Sequence, residues 1–210
     1  MDVVTILAQK GGAGKTTLTL HWAVEAMRQK GRRVAVIDMD TQASAASWSK
    51  RRESDTPVML QANERTIHDA IAACEADGID LVLIDTMPRV ERPIVEAAKV
   101  ADLAVIPTGP SVVDIEAISA TIEILERVHT PGCIVLNQGR PGSNINNKAV
   151  DVLRQYDLPV CPVQIMRRAS LMDAFTDGRA VMEIEPGGKA ADEITRSWKW
   201  IVNQLRKVKK

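Results

Sequence analysis

Aromatic residues are scarce: phenylalanine, tyrosine and tryptophan make up 3% of the 210 residues. That argues against a surface that grips single-stranded nucleic acid by stacking rings on successive bases. Cysteine is rare too. Cys74, Cys133 and Cys161 are odd in number and widely spaced, with no Cys-x-x-Cys pair and no histidine at ligand spacing. Neither a disulfide framework nor a zinc site is encoded, and buried thiols in a reducing cytoplasm are expected. No apolar run approaches the ~18 residues that cross a bilayer. The N-terminus runs straight into an apolar strand, leaving no room for a signal peptide. Net charge is also missing, because 27 Lys+Arg balance 27 Asp+Glu, so any basic surface has to be local. His21, His68 and His129 stand at no mutual spacing of catalytic kind.

What the chain does have is Lys10-Gly11-Gly12-Ala13-Gly14-Lys15-Thr16-Thr17, directly after the apolar run Val3–Ala8. A strand that ends in a glycine-rich loop and opens a helix lets backbone N–H groups cradle phosphates. Glycines allow the main chain to wrap closely, Lys15 sets a positive charge on the β- and γ-phosphates, and Thr16 offers a hydroxyl to magnesium.

Apolar runs that read as buried parallel strands recur at Val3–Ala8, Arg33–Asp38, Leu81–Asp85, Leu103–Pro107, Cys133–Asn137 and Val160–Gln164, with Val58–Leu60 a weaker candidate. Helical periodicity predicts Lys15–Lys30 (closed by Gly31), Thr66–Ala76, Pro93–Lys99, Val113–His129, Lys148–Gln155, Ser170–Thr176 and Ala190–Val208. The alternation implies a doubly wound α/β fold: a mostly parallel sheet with helices on both faces and ligands at the strands' C-terminal ends. No repeat and no Pro/Gly/Ser-rich linker divides the chain, so residues 1–210 read as a single domain.

Two further strands end in carboxylates where that fold needs them. Asp38 and Asp40 follow Val34–Ile37, and Asp85 closes Leu81–Ile84 in the manner of a Walker B motif. A strand-end aspartate facing a phosphate loop can hold a magnesium-bound water, a role assigned to Asp85 with Asp38 behind it. Asn137, at the end of another strand, can offer a donor and an acceptor to the edge of adenine.

The phosphate loop departs from the common GxxxxGK[ST] pattern, since Gln9 stands where the first glycine belongs and the extra lysine Lys10 follows it. Here the chain resembles the deviant Walker A family of P-loop NTPases, which includes ParA and MinD ATPases. Asp40-Thr41-Gln42 resembles the Asp-Pro-Gln of ParA proteins, with Thr41 replacing proline. Ala45–Lys50 and Ile106–Asp114 also resemble ParA segments, the closest match being small ParA proteins without an N-terminal helix-turn-helix. Trp48 reads equally as core or as dimer-interface packing, and Ser111 or Asp114 also suits a helix N-cap.

The resemblance implies an ATPase that uses ATP and Mg2+. It implies that Lys10 crosses a two-fold axis to the partner's phosphates and that Asp40 orients the attacking water. ATP then acts as interface glue for a homodimer, with slow hydrolysis stimulated by a ParB-like or other adaptor. It also implies non-specific duplex DNA as a partner, a nucleoid-associated cytoplasmic location, and a cargo such as a plasmid or a carboxysome. Candidate phosphate-backbone contacts are Arg167 and Arg168, Lys199, and Arg206 with Lys207, beside Lys50-Arg51-Arg52, Arg196 and Lys209-Lys210.

Ile194, Trp198, Ile201, Leu205 and Val208 form one apolar stripe on the last helix. It reads as a closing core helix, the alternative being a MinD-like basic amphipathic membrane anchor. A metabolic P-loop enzyme resembling dethiobiotin synthetase is the third reading. An iron–sulfur reductase is disfavoured because no cysteine follows Asp85 closely.

Overall fold

Strands that are apolar on both faces can only be buried between two layers of helices, and they are. The computed structural model describes residues 1–28, 31–88 and 91–209. The elements run β1 (Asp2–Ile6), α1 (Lys15–Met27), β2 (Val34–Asp38), α2 (Ser44–Arg51), β3 (Val58–Gln61), α3 (Ile67–Ala76), β4 (Leu81–Asp85) and α4 (Glu91–Lys99). They continue as β5 (Leu103–Thr108), α5 (Val112–Glu116), α6 (Ser119–Val128), β6 (Gly132–Leu136), α7 (Ile145–Leu153), α8 (Ala169–Thr176), α9 (Val181–Ile184) and α10 (Lys189–Val208).

The sheet order is β3-β2-β4-β1-β5-β6, and every pairing is parallel. Alternate residues feed two separate cores. Val4, Ile6, Val36, Leu83, Val105 and Val135 pack with α1 and α10 on one face. Ala35, Ile37, Val82, Ile84, Ile106 and Ile134 pack with α4, α6 and α7 on the other. Register does more for function than packing does: Asp38 is level with Asp85, and Asp85 with Ile6, so both carboxylates stand beside the start of the loop after β1.

The structure corrects several expected elements. Val160–Gln164 is not a strand. It follows β6 through the isolated bridge Ile134–Val160 and through hydrogen bonds from Cys161 N–H to Ile134 O (2.8 Å) and Ile165 N–H to Leu136 O (2.9 Å). Leu136 O takes its bond from Ile165, where Val163 would be next in register, so two extra residues interrupt the ladder. The expected helix Val113–His129 is broken into α5 and α6. The Asp114 carbonyl accepts the Thr108 hydroxyl (3.0 Å), and the Ile118 N–H turns to Ile115 O (3.2 Å). The weaker candidate at Val58 is a true edge strand, and α2 and α9 were not foreseen. α1 stops at Met27, and Lys30, the expected end, lies outside the described residues.

The apolar stripe of α10 is core. Ile194, Trp198, Ile201 and Leu205 are buried, and only Val208 is exposed. Trp48 is buried as well, its indole N–H reaching Arg179 O at 3.3 Å, which decides for core over interface. Among the described residues no helix is long and apolar enough to cross a membrane. All three cysteines are free and buried.

His21 on α1 ties α8 and α9 to the sheet. Its Nδ1 accepts the Val181 N–H (3.2 Å), so Nε2 carries the proton and donates to Leu171 O (3.3 Å). Burial pushes its pKa down to about 4, against the opposing pull of the Leu171 carbonyl and Glu183. The unfolded chain therefore takes up a proton near pH 6.5 that the folded chain refuses until about pH 4. Stability is complete above that window and falls as pH drops through it, by up to about 1.4 kcal/mol per pH unit. Urea unfolding of wild type and His21→Gln at pH 7 and pH 4.5 checks this: the variant should lose distinctly less. Equal losses would mean His21 does not set the slope.

Candidate active site

The loop between β1 and α1 sits at the C-terminal edge of the sheet. α1 begins at Lys15, and its N-cap, Gly14, has a left-handed backbone (φ 87°) with no capping side chain. A Cβ at Gly14 would collide with the Asn137 side-chain amide, so only glycine lets loop and strand end approach this closely. Gly12 is also left-handed (φ 79°). Residues 11–14 thus present their backbone beside a helix N-terminus, the arrangement suited to an anion.

Lys15 is buried, which lowers its pKa, while Asp85 and Asp40 pull it back up. Their negative charge favours its protonated, cationic form without a direct ion pair among the described residues. Asp85 is fully buried, and neither of its oxygens closes a hydrogen bond. Burial pushes its pKa up to about 7, opposed by the nearby Thr16 hydroxyl and by Lys15. A buried carboxylate without a partner is costly unless something cationic meets it. Asp85 together with the Thr16 hydroxyl is a hard oxygen pair suited to magnesium. Among the described residues no three His, Cys, Asp or Glu side chains are grouped to cage a metal. A cation here would share its shell with phosphate oxygens and water.

Asp38 is differently engaged. Its Oδ1 accepts the Asp40 N–H (2.9 Å) and its Oδ2 the Ala46 N–H (3.2 Å). Ala43, the N-cap of α2, has no side chain able to accept, so Asp38 caps that helix from β2. The expected metal role of Asp38 is therefore at most indirect. Asp40 is half-buried, and its Oδ1 accepts the Gln42 N–H (2.9 Å), while Oδ2 accepts no hydrogen bond among the described residues.

The two lysines of the loop have separate destinations. Lys10 forms an ion pair with Asp114, whereas Lys15 is buried. Ser111 and Asp114 form the capping box of α5, so the N-cap reading holds for Ser111. Val112 and Val113 beside them are 69% and 64% exposed, a rare pair of large apolar side chains in solvent.

Asn137 lies just past β6, and its amide nitrogen donates to Ala13 O (2.8 Å). That bond uses one of the two N–H donors; Oδ1 accepts nothing among the described residues and suits an exocyclic amine such as that of adenine. A cleft of about 370 Å3 opens beside it, lined by Thr17, Met166, Arg167, Leu171 and Met172 among others. Gln138, which no sequence signal marked, donates to Gly12 O (2.7 Å).

Five of the suspected DNA contacts are engaged within the chain itself. Arg168 forks onto Glu193. Arg51 donates to the carbonyls of Thr176 (2.8 Å) and Phe175 (3.2 Å), and Arg52 to Glu183 (2.8 and 2.7 Å). Arg196 pairs with Asp192 and Lys209 with Asp2, while Lys210 lies outside the described residues. Lys50, Arg167, Lys199, Arg206 and Lys207 are exposed, with no side-chain ion pair among the described residues.

Comparison with known proteins agrees with this geometry. The model of the CobQ/CobB/MinD/ParA nucleotide binding domain matches residues 4–181. The chain is 28% identical over 198 residues to maintenance of carboxysome distribution protein A of Halothiobacillus neapolitanus, covering 89% of this chain and 90% of that protein. It is 32% identical over 213 residues to the protein of the same description from Gloeobacter kilaueensis, covering 97% and 93%. The septum site-determining protein MinD of Pyrococcus horikoshii, solved with Mg-ADP, superposes with a TM-score of 0.77 at 17% identity, covering 95% of each chain. The chain belongs to the CobQ/CobB/MinD/ParA nucleotide-binding family and is a ParA/MinD-type ATPase.

Proposed function

We propose that this ATPase is a ParA-type positioning protein: it pairs with a second copy when ATP is bound, holds duplex DNA without sequence preference, and moves or anchors a cargo through slow, adaptor-stimulated hydrolysis. The observation that carries the reading is the parting of the two lysines. Lys15 is buried against Asp85 and Asp40, whereas Lys10 is turned outward onto Asp114 beside two exposed valines. A lysine its own site does not use, next to an apolar patch, suits a residue that completes the site of a second copy.

In this reading the N–H groups of Gly11, Gly12, Ala13 and Gly14, with Thr17 behind them, surround the phosphates, and Lys15 neutralises their charge. Thr16 and Asp85 would hold magnesium, with Asp38 fixing the segment beside them. When bound, the ion offsets negative charge on the β- and γ-phosphates. Asp40 orients the attacking water, whose oxygen displaces ADP from the γ-phosphorus to leave phosphate. Asn137 meets the base. Hydrolysis then removes the contact that favours pairing, and the population returns to single chains.

Lys50, Arg167, Lys199, Arg206 and Lys207 are the suspected basic side chains left for phosphate backbones, and pairing would double each of them. The two relatives named for carboxysome distribution make a protein organelle on the nucleoid the first cargo to test, with plasmids next. The test is sedimentation with random-sequence duplex DNA and, separately, with anionic liposomes, each with ATP, ADP or no nucleotide. Pelleting with DNA that requires ATP and falls steeply with salt is expected. Pelleting with liposomes alone would favour a MinD-like membrane role, and pelleting with neither would favour a metabolic P-loop enzyme.

A further inference from the structure

Two neighbouring side-chain amides reach two neighbouring carbonyls of the phosphate loop. Gln138 donates to Gly12 O at 2.7 Å and Asn137 to Ala13 O at 2.8 Å. The amide orientations are not arbitrary, because a carbonyl can only accept, so each NH2 must face the loop. In an extended chain, consecutive side chains point to opposite sides, and residues 137 and 138 could not both reach one loop. They do so because Gln138 has a left-handed backbone (φ 55°), a conformation disfavoured for any residue with a Cβ. Main-chain bonds on either side hold it there, from Asn137 N–H to Thr108 O (2.8 Å) and from Gly139 N–H to Ile165 O (3.0 Å).

The consequence follows from peptide geometry. In a trans peptide unit the C=O of one residue and the N–H of the next point in opposite directions. Drawing Gly12 O outward turns the Ala13 N–H inward, and drawing Ala13 O outward does the same for the Gly14 N–H. We propose that Gln138 is a positioning residue for ATP binding: with Asn137 it holds two consecutive peptide units of the loop so that their N–H groups face the phosphates. Gln138 touches no nucleotide in this role; it acts through the Ala13 N–H. The role rests on the nucleotide site being the loop at residues 10–17.

Calorimetric titration of the full chain with ADP and, separately, with inorganic pyrophosphate tests it, magnesium being present in both. Gln138→Ala keeps the Cβ and the backbone preference but removes the donor, and should weaken both ligands by the same factor, about fivefold. Gln138→Glu cannot donate and adds negative charge beside the loop, so its loss should be larger, on the order of 30-fold. Gln138→Gly, which relieves the left-handed backbone, should match Gln138→Ala. Unchanged pyrophosphate affinity in Gln138→Ala would overturn the role, as would a loss confined to ADP, which would place the residue at the base. Recovery in Gln138→Gly would also overturn it, by tracing the loss to backbone strain. A wild-type chain that held neither ligand would remove the nucleotide site itself, and the proposal with it.

Discussion

Lys15→Ala should abolish useful ATP binding, with affinity falling at least about 100-fold. One charge-assisted contact in a water-poor site is worth up to about 3 kcal/mol, which sets that scale. A second effect adds to it. Lys15 holds down the pKa of Asp85, which burial already pushes up to about 7. Without that cation Asp85 is protonated more readily near neutral pH, and a protonated carboxyl is a poor ligand for magnesium. Affinity in the variant should therefore improve as pH rises through 7 and 8, more so than in wild type. Equilibrium binding of a fluorescent ATP analogue from pH 6.5 to 8.5 measures both effects. Undiminished affinity would end the assignment of this loop as the phosphate site.

Asp40→Ala should leave ATP affinity within about twofold and slow hydrolysis by about 100-fold or more, the usual scale for losing a group that handles the attacking water. If ATP is the glue of a dimer, the variant should accumulate as an ATP-bound pair in analytical ultracentrifugation. A chain that stays single with ATP and hydrolyses it at the wild-type rate would remove Asp40 from the site. The Asp40 Oδ1 also accepts the Gln42 N–H at 2.9 Å, so loss of a turn could mimic loss of chemistry. Asp40→Asn separates the two, because its amide oxygen still accepts that N–H. A slow Asp40→Asn points to the carboxylate, whereas a rescued rate points to the turn.

These two residues differ in how visible they are along the chain. Lys15 is legible because the phosphate loop is a local object: eight consecutive residues contain the glycines, the lysine and the hydroxyl, and the loop's conformation follows from them. Asp85 is legible with one more step, since an apolar run ending in a carboxylate is a buried strand with its acid at the C-terminal edge. Asp40 was reached only through resemblance. Its neighbour Asp38 reads along the chain as a support behind Asp85, and the structure adds a second task, each oxygen accepting a backbone N–H of the next loop or helix. Nothing in the order of residues says that Ala43 would be an N-cap unable to cap, leaving a strand residue to do so.

The basic clusters show the same limit. Arg51, Arg52 and Arg168 look like solvated charge in the sequence, yet each is spent on a carbonyl or carboxylate more than 20 residues away. The broken helix after β5 depends on the Thr108 hydroxyl reaching the Asp114 carbonyl, and the missing strand on Leu136 O accepting from Ile165 in place of Val163.

The sequence by itself determined the alternation of strand and helix, the phosphate loop, the two strand-end carboxylates and the family, because each is written in residues adjacent along the chain or repeated at a short period. Only the tertiary structure decided that Asp38 stands level with Asp85, that Lys10 rests on Asp114, that the α10 stripe is buried, and that Gln138 holds the loop. Those facts depend on which distant segments share a sheet edge, and that choice is made by burying two apolar faces at once, a condition no local pattern contains.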